Sequence, residues 1–319
     1  MNTVLNEIQK IGILPTAMLD DARNALPLAD ALYKGGIPCV VINFCDETTG
    51  EAICEIMKTF PQMIVGSGAV TNVKQACLAI DAGAHFITSP IFDPAVIEYC
   101  KDRNIEIIPR VSGSAHVESA LSLGLGAVSI LPESLTDGIH TIQTMSRLYP
   151  SIGFIPEGSI CEKDTESYLE LNNIFACSNN QIAKKEWIQA GEFNRIERMA
   201  KESVRDMMGF EVSHIGINCG SSEEAEKTAG VFETMFGFPK DPGPSSVYAG
   251  TFLECMKPPH LGTNGHIAIT ANSIIRAKNY FEAMGYEFNE SSAKFSEGNM
   301  IVIYFKEEIG GFAVHILQK

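Results

Sequence analysis

The sequence has no apolar run long enough to cross a bilayer, no paired cysteine spacing and no cluster of basic residues. A membrane-spanning helix needs about 20 consecutive apolar residues, so we expect no membrane association. The nine cysteines are scattered, and the opening MNTVLNEIQKIG lacks the basic and apolar segments of a secretory signal. These absences predict a cytoplasmic protein in a reducing compartment.

Basic patches are also missing, and the formal net charge is -15. Binding to nucleic acid needs clustered Lys and Arg against the phosphates, so nucleic acid is not an expected partner. We expect a small-molecule substrate and no nucleotide cofactor. With 319 residues, of which 45% are hydrophobic, the chain can bury one large core and a second, smaller one.

Eight short apolar runs dominate the first two-thirds of the chain, and a helix-period segment follows each of them. The runs begin near residues 12, 39, 63, 85, 105, 127, 152 and 174. Apolar runs of this kind are typical of parallel strands buried on both faces, so eight βα units predict a (β/α)8 TIM barrel. An open, doubly wound sheet is the alternative fold. One long helix over 184–208 then closes the unit, with Gly209 as its C-cap.

After Gly209 the pattern changes to short alternating runs and two helix-like segments. We interpret this pattern as two consecutive βαβββ units. The turn KPPHLGTNG, rich in Pro and Gly, lies between the two halves. Two such units side by side would form a half-open β cup. The predicted domains are a barrel over 1–209 and an α+β module over 210–319.

The stretches GGIPCVVINF, MIVGSGAVTN, AGAHFITSP, IEIIPRVSG, ILPES and IPEGS resemble the 2-keto-3-deoxy-6-phosphogluconate / 4-hydroxy-2-oxoglutarate (KDPG/KHG) aldolase family, over about residues 5–205. The resemblance implies a Schiff-base lysine on strand 6, a glutamate on strand 2 and a homotrimer. Pro90 matches the family pattern, but Ser129 stands at the lysine position and Val41 at the glutamate position. Glu157 replaces the threonine of a phosphate loop. Apolar positions near strand 4, such as Phe86 and Ile91, are expected on the outer face.

A serine cannot form an iminium ion, so Schiff-base aldolase activity is not the leading interpretation of the barrel. Like-charge repulsion from Glu157 would also disfavour a phosphorylated substrate. Two interpretations stay open. The barrel is a scaffold or a non-catalytic ligand-binding domain, or it holds a new polar site in which Arg110 clamps a carboxylate. That site would consist of Asn43, Asp46, Arg110, Glu133 and Glu157.

The repeated βαβββ pattern resembles the vicinal oxygen chelate superfamily, which includes glyoxalase I. The resemblance covers about residues 211–319 and implies four metal ligands, His214, Glu254, His266 and His315. His315 stands where the superfamily usually has a glutamate, which leaves Glu254 as the one carboxylate base. Imidazole and carboxylate suit Zn, Ni, Co, Mn or Fe(II). A vestigial or purely hydrogen-bonded cluster is the alternative.

The leading functional hypothesis is therefore a metal-dependent lyase or isomerase in the second module. It would stabilise an enolate or enediolate of a small oxo- or hydroxy-acid or carbohydrate, with Glu254 moving the proton. The first alternative is the aldolase activity that the barrel's resemblance implies. The second alternative is a non-catalytic ligand-binding or assembly protein.

Overall fold

The computed structural model describes residues 3–132, 138–158, 162–171 and 173–319. The chain divides after Met207 into two compact units, and each is described here by itself. Among the described residues, none of the helices combines the length and the apolar character that a membrane crossing demands.

The first unit is a closed barrel of eight parallel strands that follow one another in chain order. The barrel closes because β1 pairs with β8, with Ile13 opposite Cys177. The predicted TIM barrel is thereby confirmed, and the open-sheet alternative is wrong. The strands are β1 Ile13–Ala17, β2 Cys39–Asn43, β3 Ile64–Gly68, β4 Phe86–Ser89, β5 Glu106–Val111, β6 Ala127–Ile130, β7 Gly153–Gly158 and β8 Cys177–Asn179.

Helices connect the barrel strands, and side-chain caps define where several of them begin. Asp46, Asn72 and Asp93 each accept a hydrogen bond from a backbone N–H in the first turn, which satisfies a group that has no partner within the helix. A short 3-10 helix covers Ala22–Asn24. The helices are α1 Thr3–Ile11, α2 Ala25–Lys34, α3 Glu47–Thr59, α4 Val73–Asp81, α5 Pro94–Lys101, α6 Ser114–Ser122, α7 Gly138–Leu148 and α8 Glu162–Leu169.

Two sequence expectations for this unit need correction. The predicted long helix is two helices, α9 Lys185–Gln189 and α10 Phe193–Met208, because Gly191 between them has a φ of 70° that ends the first helix. Phe86 is fully buried inside the barrel against Gly66, so it cannot contribute to an outer apolar face.

The second unit is one mixed sheet of eight strands in the order β10-β11-β12-β9-β13-β16-β15-β14. Its two halves have the same βαβββ element order, and their first strands, β9 and β13, pair antiparallel at the centre. The elements are β9 Glu211–Asn218, α11 Ser222–Phe236, β10 Lys240–Pro242, β11 Ser246–Ala249, β12 Leu253–Met256, β13 Gly265–Ala271, α12 Ile274–Ala283, β14 Phe288–Ser296, β15 Asn299–Phe305 and β16 Phe312–Gln318.

Candidate functional site

Three neighbouring strands of the barrel bring polar side chains together near their carboxyl ends. Arg110 of β5 lies directly opposite Ser129 of β6, and Glu157 is the penultimate residue of β7. Active sites of TIM barrels lie at this end of the strands. The position therefore makes these three residues the candidate site of the barrel.

Glu157 is the centre of this group because one of its oxygens accepts two hydrogen bonds. Oε1 accepts from Arg110 Nε in a close ion pair and from Ser129 Oγ at 3.1 Å. The side chains of Arg110 and Glu157 are 35% and 19% exposed, so the pair is open to solvent on one side. Within the described part of the chain, Nη1 and Nη2 of Arg110 make no hydrogen bond. Both nitrogens are hydrogen-bond donors, and a guanidinium group can bind an anionic group.

The other residues predicted for this site do not join the group. Asn43 ends β2, and its side chain packs against Gly68 of β3. A Cβ added to Gly68 would lie 2.3 Å from Asn43 Oδ1. Asp46 caps α3 by accepting a hydrogen bond from the N–H of Thr48 at 2.9 Å. Glu133 lies outside the described residues. Of the predicted set, Arg110 and Glu157 meet, and Asn43 and Asp46 belong to the β2 side of the barrel.

The structure places Ser129, not a lysine, on β6, and its side chain is buried. Two lysines follow β8 at the same end of the barrel. Lys185 Nζ lies 2.8 Å from Asp20 Oδ1, and that hydrogen bond raises the pKa of Lys185. Lys184 Nζ lies 5.1 Å from the ring centre of Trp187. A raised pKa keeps an amine protonated, so Lys185 is poorly suited to attack a carbonyl.

A second polar cluster lies in the sheet of the C-terminal unit. His214 Nε2 is 3.2 Å from His266 Nε2, and Glu254 Oε2 lies 3.4 Å and 3.1 Å from these two nitrogens. The ring of His315 is centred 5.3 Å from that of His266. Gly216 makes room for this arrangement, since an added Cβ would lie 2.0 Å from His266 Cε1.

Burial governs the protonation of His214 and His315. It lowers the pKa of His214, and it lowers the pKa of His315 to about 3. Burial opposes ionisation of Glu254, but hydrogen bonds from His266 and Ser246 outweigh it and lower the pKa of Glu254 to about 2. At neutral pH, Glu254 is therefore an ionised hydrogen-bond acceptor and a weak base.

The sequence analysis did not identify several residues around this cluster. Ser246 donates to Glu254 Oε1 at 2.7 Å, and the ring of Tyr304 is centred 4.4 Å from that of His315. Tyr248 lies on the same strand face as Ser246, with its ring centred 6.0 Å from that of His214. The alternation in SVYAG could have indicated Ser246 and Tyr248, because residues two apart share one face of a strand.

Comparisons with known proteins relate the first unit to sugar-acid aldolases. The family model described as KDPG and KHG aldolase matches residues 4–199. A 2-dehydro-3-deoxy-phosphogluconate aldolase of Treponema pallidum is 29% identical over 205 residues, which are 64% of this chain and 98% of that protein.

Two solved structures resemble the same unit. The KDPG aldolase of Legionella pneumophila, solved with pyruvate captured as a covalent carbinolamine intermediate, has 25% identity and a TM-score of 0.60 over 63% of this chain and 98% of its own. The 2-keto-3-deoxy-6-phosphogluconate aldolase of Zymomonas mobilis, solved with 3-phosphoglycerate, has 26% identity and a TM-score of 0.57 over 62% of this chain and 94% of its own.

These comparisons correct two expectations from the sequence. Aldolases of this family work through a Schiff-base lysine and use no metal cofactor, so the expected divalent metal cofactor is wrong. The metal-dependent enolate chemistry expected of the second module is therefore wrong as well. The aldolase alternative agrees better with the comparisons. Of the predicted ligands, His214, Glu254 and His266 form the hydrogen-bonded cluster described above, and the His315 ring packs beside it.

Proposed function

Because residues 4–199 match its family model, the chain belongs to the KDPG and KHG aldolase family, and we propose that it is an aldolase-type lyase acting on a small 2-oxo acid. The observation that carries the proposal is the group of Arg110, Ser129 and Glu157 at the carboxyl ends of β5, β6 and β7. Its substrate would be a 4-hydroxy-2-oxo acid, and one product would be pyruvate or a close analogue.

Arg110 is the residue that binds the substrate in this proposal. The carboxylate and the 2-oxo oxygen of a 2-oxo acid are neighbours, so one guanidinium can donate to both. Since its bond to Glu157 uses Nε, Nη1 and Nη2 of Arg110 remain available for this contact. Lysine would be a poor substitute, because it presents a single point charge instead of a planar fork.

Glu157 is the residue that moves the proton. Its carboxylate takes the proton of the substrate's C4 hydroxyl, the C3–C4 bond breaks, and C4 becomes an aldehyde carbonyl. The electron pair of the broken bond forms an enolate on the C2 oxygen, which the Nη1 and Nη2 groups of Arg110 stabilise by hydrogen bonding. Glu157 then returns the proton to C3, which yields the 2-oxo acid product.

The departure from the relatives is that Ser129 allows no imine on β6. The carbonyl of the substrate is polarised by hydrogen bonds alone, so turnover should be slow compared with an enzyme that forms an iminium ion. Borohydride reduction in the presence of pyruvate, followed by mass spectrometry, tests this point. We expect no pyruvate adduct on any lysine of the barrel, and an adduct would refute the imine-free route.

Non-catalytic binding is the competing function, and the same preparation distinguishes it. Incubation with 4-hydroxy-2-oxoglutarate should release pyruvate if the barrel is a lyase. Binding of this acid without pyruvate release would instead support a ligand-binding barrel.

We also propose that the second unit has the vicinal oxygen chelate arrangement and carries a separate binding site for a small polyhydroxyl compound. Its repeated βαβββ order supports the fold assignment. The binding site is supported by Glu254, whose carboxylate can accept hydrogen bonds from hydroxyl groups. It is also supported by the buried Nδ1 atoms of His266 and His315, which have no hydrogen-bond partner among the described residues. Titration with ribose should shift the histidine ring resonances in NMR spectra, and Glu254→Gln should abolish the shift. Unchanged resonances in the wild type would refute the site.

A homotrimer formed through the barrel is the third part of the proposal. Its support is the family resemblance, together with Ile91 after β4, whose side chain is exposed.

A further inference from the structure

One face of the sheet in the second unit carries a polar side chain from each of six neighbouring strands. Residues paired across two strands share a face, and so do residues two apart on one strand. His315 is paired with Tyr304. Val302 lies two residues before Tyr304 and is paired with Lys294, so Lys294 shares the face of the histidine cluster. In strand order, this face carries Glu254 of β12, His214 of β9, His266 of β13, His315 of β16, Tyr304 of β15 and Lys294 of β14.

The side chains on this face converge towards one another. Neighbouring strands lie about 4.8 Å apart, so His214 and His315, which are two strands apart, would be separated by roughly 10 Å in a flat sheet. Their ring centres are 5.7 Å apart, and the Tyr304 ring is centred 4.4 Å from that of His315. A small molecule on this face therefore meets side chains from several strands at once.

His260, from the turn between the two halves of the unit, forms a side wall of this face. Asn218 holds the turn in place, because its Nδ2 donates to the carbonyl oxygens of His260 and Gly262 at 3.0 Å and 2.7 Å. Its Oδ1 accepts from the N–H of His260 at 2.8 Å. The ring of His260 is centred 6.0 Å from that of His266 and 6.2 Å from that of Tyr304. The wall is therefore fixed by three hydrogen bonds from one side chain.

Charges of opposite sign stand at the two ends of this face. Lys294 is exposed, and it has no hydrogen bond or ion pair among the described residues. Burial lowers the pKa of His260 and of His315, and the positive charge of Lys294 adds to this effect in both. Glu254, four intervening strands away on β12, opposes it in both. The cation and the carboxylate therefore flank the same pair of rings.

We propose that this face binds a small polyhydroxy acid in preference to the corresponding neutral polyol, and that Lys294 is the residue that selects the acid. The carboxylate of the ligand lies at Lys294, whose single positive charge it balances, and the hydroxyl groups extend past His260 towards Glu254, which accepts hydrogen bonds from them. The reverse orientation would bring two carboxylates together and leave Lys294 unpaired, so the charges also set the orientation. This inference rests on the binding site proposed above for the second unit, because it names the class of ligand that the same site accepts.

Isothermal titration calorimetry of the full chain with D-ribonate and with ribitol tests this proposal, because these two open-chain compounds differ only at C1. At low salt the wild type should bind ribonate about fivefold more tightly than ribitol, the upper end of what an exposed ion pair contributes. Raising the ionic strength should reduce this preference, since the ammonium group of Lys294 is exposed. Lys294→Met removes the charge and keeps the apolar stem. It should lower the affinity for ribonate to that for ribitol and leave ribitol binding unchanged.

A matched control is Lys240→Met, which removes the same charge from the opposite face of the same sheet. Lys240 is paired with Ala249, the residue after Tyr248, and its Nζ lies 3.9 Å from a Cβ added to Gly230 of α11. This variant should keep the preference for ribonate.

Equal binding of ribonate and ribitol by the wild type would overturn the proposal and leave the polyhydroxyl site intact. An unchanged preference in Lys294→Met, or an equal loss of preference in the two variants, would overturn the assignment of Lys294. If neither compound bound to the wild type, both this inference and the polyhydroxyl site would be refuted.

Discussion

The interaction between Arg110 and Glu157 can be measured with a double-mutant cycle. Replacing Arg110 with Met removes the cation but keeps most of the side-chain volume, and Glu157→Gln removes the anion. At an effective dielectric constant of about 20, two unit charges about 3 Å apart attract by roughly 5 kcal/mol. Desolvation and solvent screening cancel most of this attraction, because the two side chains are 35% and 19% exposed.

Exposed pairs contribute about 0 to 1 kcal/mol, and breaking a buried pair costs about 3 to 5 kcal/mol. For this intermediate pair we expect a coupling energy of about 1 to 2 kcal/mol. Arg110→Met should be the more destabilising single change, since it leaves the less exposed carboxylate without its cation.

Urea unfolding followed by tryptophan fluorescence provides the assay. Trp187 is the single tryptophan of the chain and lies in α9 of the barrel unit, so its emission reports on that unit. The control cycle uses Lys34 and Asp30, whose side chains are 58% and 45% exposed, and its coupling should stay below about 0.5 kcal/mol. If the two cycles gave equal coupling energies, the electrostatic account of the barrel site would be refuted.

Three further predictions concern assembly and the second unit. Light scattering at micromolar concentration should give three times the mass of the chain, and a monomer would contradict the trimer. Gly216→Ala should destabilise the second unit by about 2 kcal/mol, because its Cβ would overlap the ring of His266. Gly230→Ala is the control, since its Cβ would meet only Lys240 Nζ at 3.9 Å, and an equal loss in both variants would contradict the packing argument. The free energy of unfolding of this unit should fall as pH drops from about 6.5 towards about 3. In this range His315 is protonated in unfolded chains but stays neutral in the folded unit, because burial lowers the pKa of His315 to about 3. His315→Gln should flatten this pH dependence. If the variant and the wild type had the same pH profile of unfolding free energy, His315 would not be its cause.

The barrel could be predicted from the sequence because buried parallel strands are continuous apolar runs. The last strand was the least well placed, since its predicted run begins at 174 and β8 covers only Cys177–Asn179. In the second unit, two edge strands escaped the pattern. β10 is the exposed sequence Lys-Asp-Pro, and β14 is rich in polar residues, so neither has an apolar run to identify it.

The candidate sites were predicted residue by residue with mixed success, for a physical reason. The superfamily resemblance grouped His214 with His266, which lie on different strands. Alternation along a strand shows only which face a side chain occupies. It does not show which strands become neighbours across a barrel. The contact of Arg110 with Glu157, 47 positions apart in the chain, depends on barrel closure. The metal expectation failed because a cluster of imidazole and carboxylate groups has the same sequence pattern whether it is hydrogen-bonded or holds an ion.

The lyase function is tested most directly by measuring pyruvate release from 4-hydroxy-2-oxoglutarate, with the full chain and its Arg110→Met and Glu157→Gln variants side by side. We predict slow release by the wild type and a loss of at least about 100-fold in each variant, because general acid–base groups and anion-binding groups typically contribute factors of that size. Circular dichroism would confirm that both variants are folded. Pyruvate release at the same rate in all three proteins, or none from the wild type, would contradict the assignment of the barrel as an aldolase-type lyase.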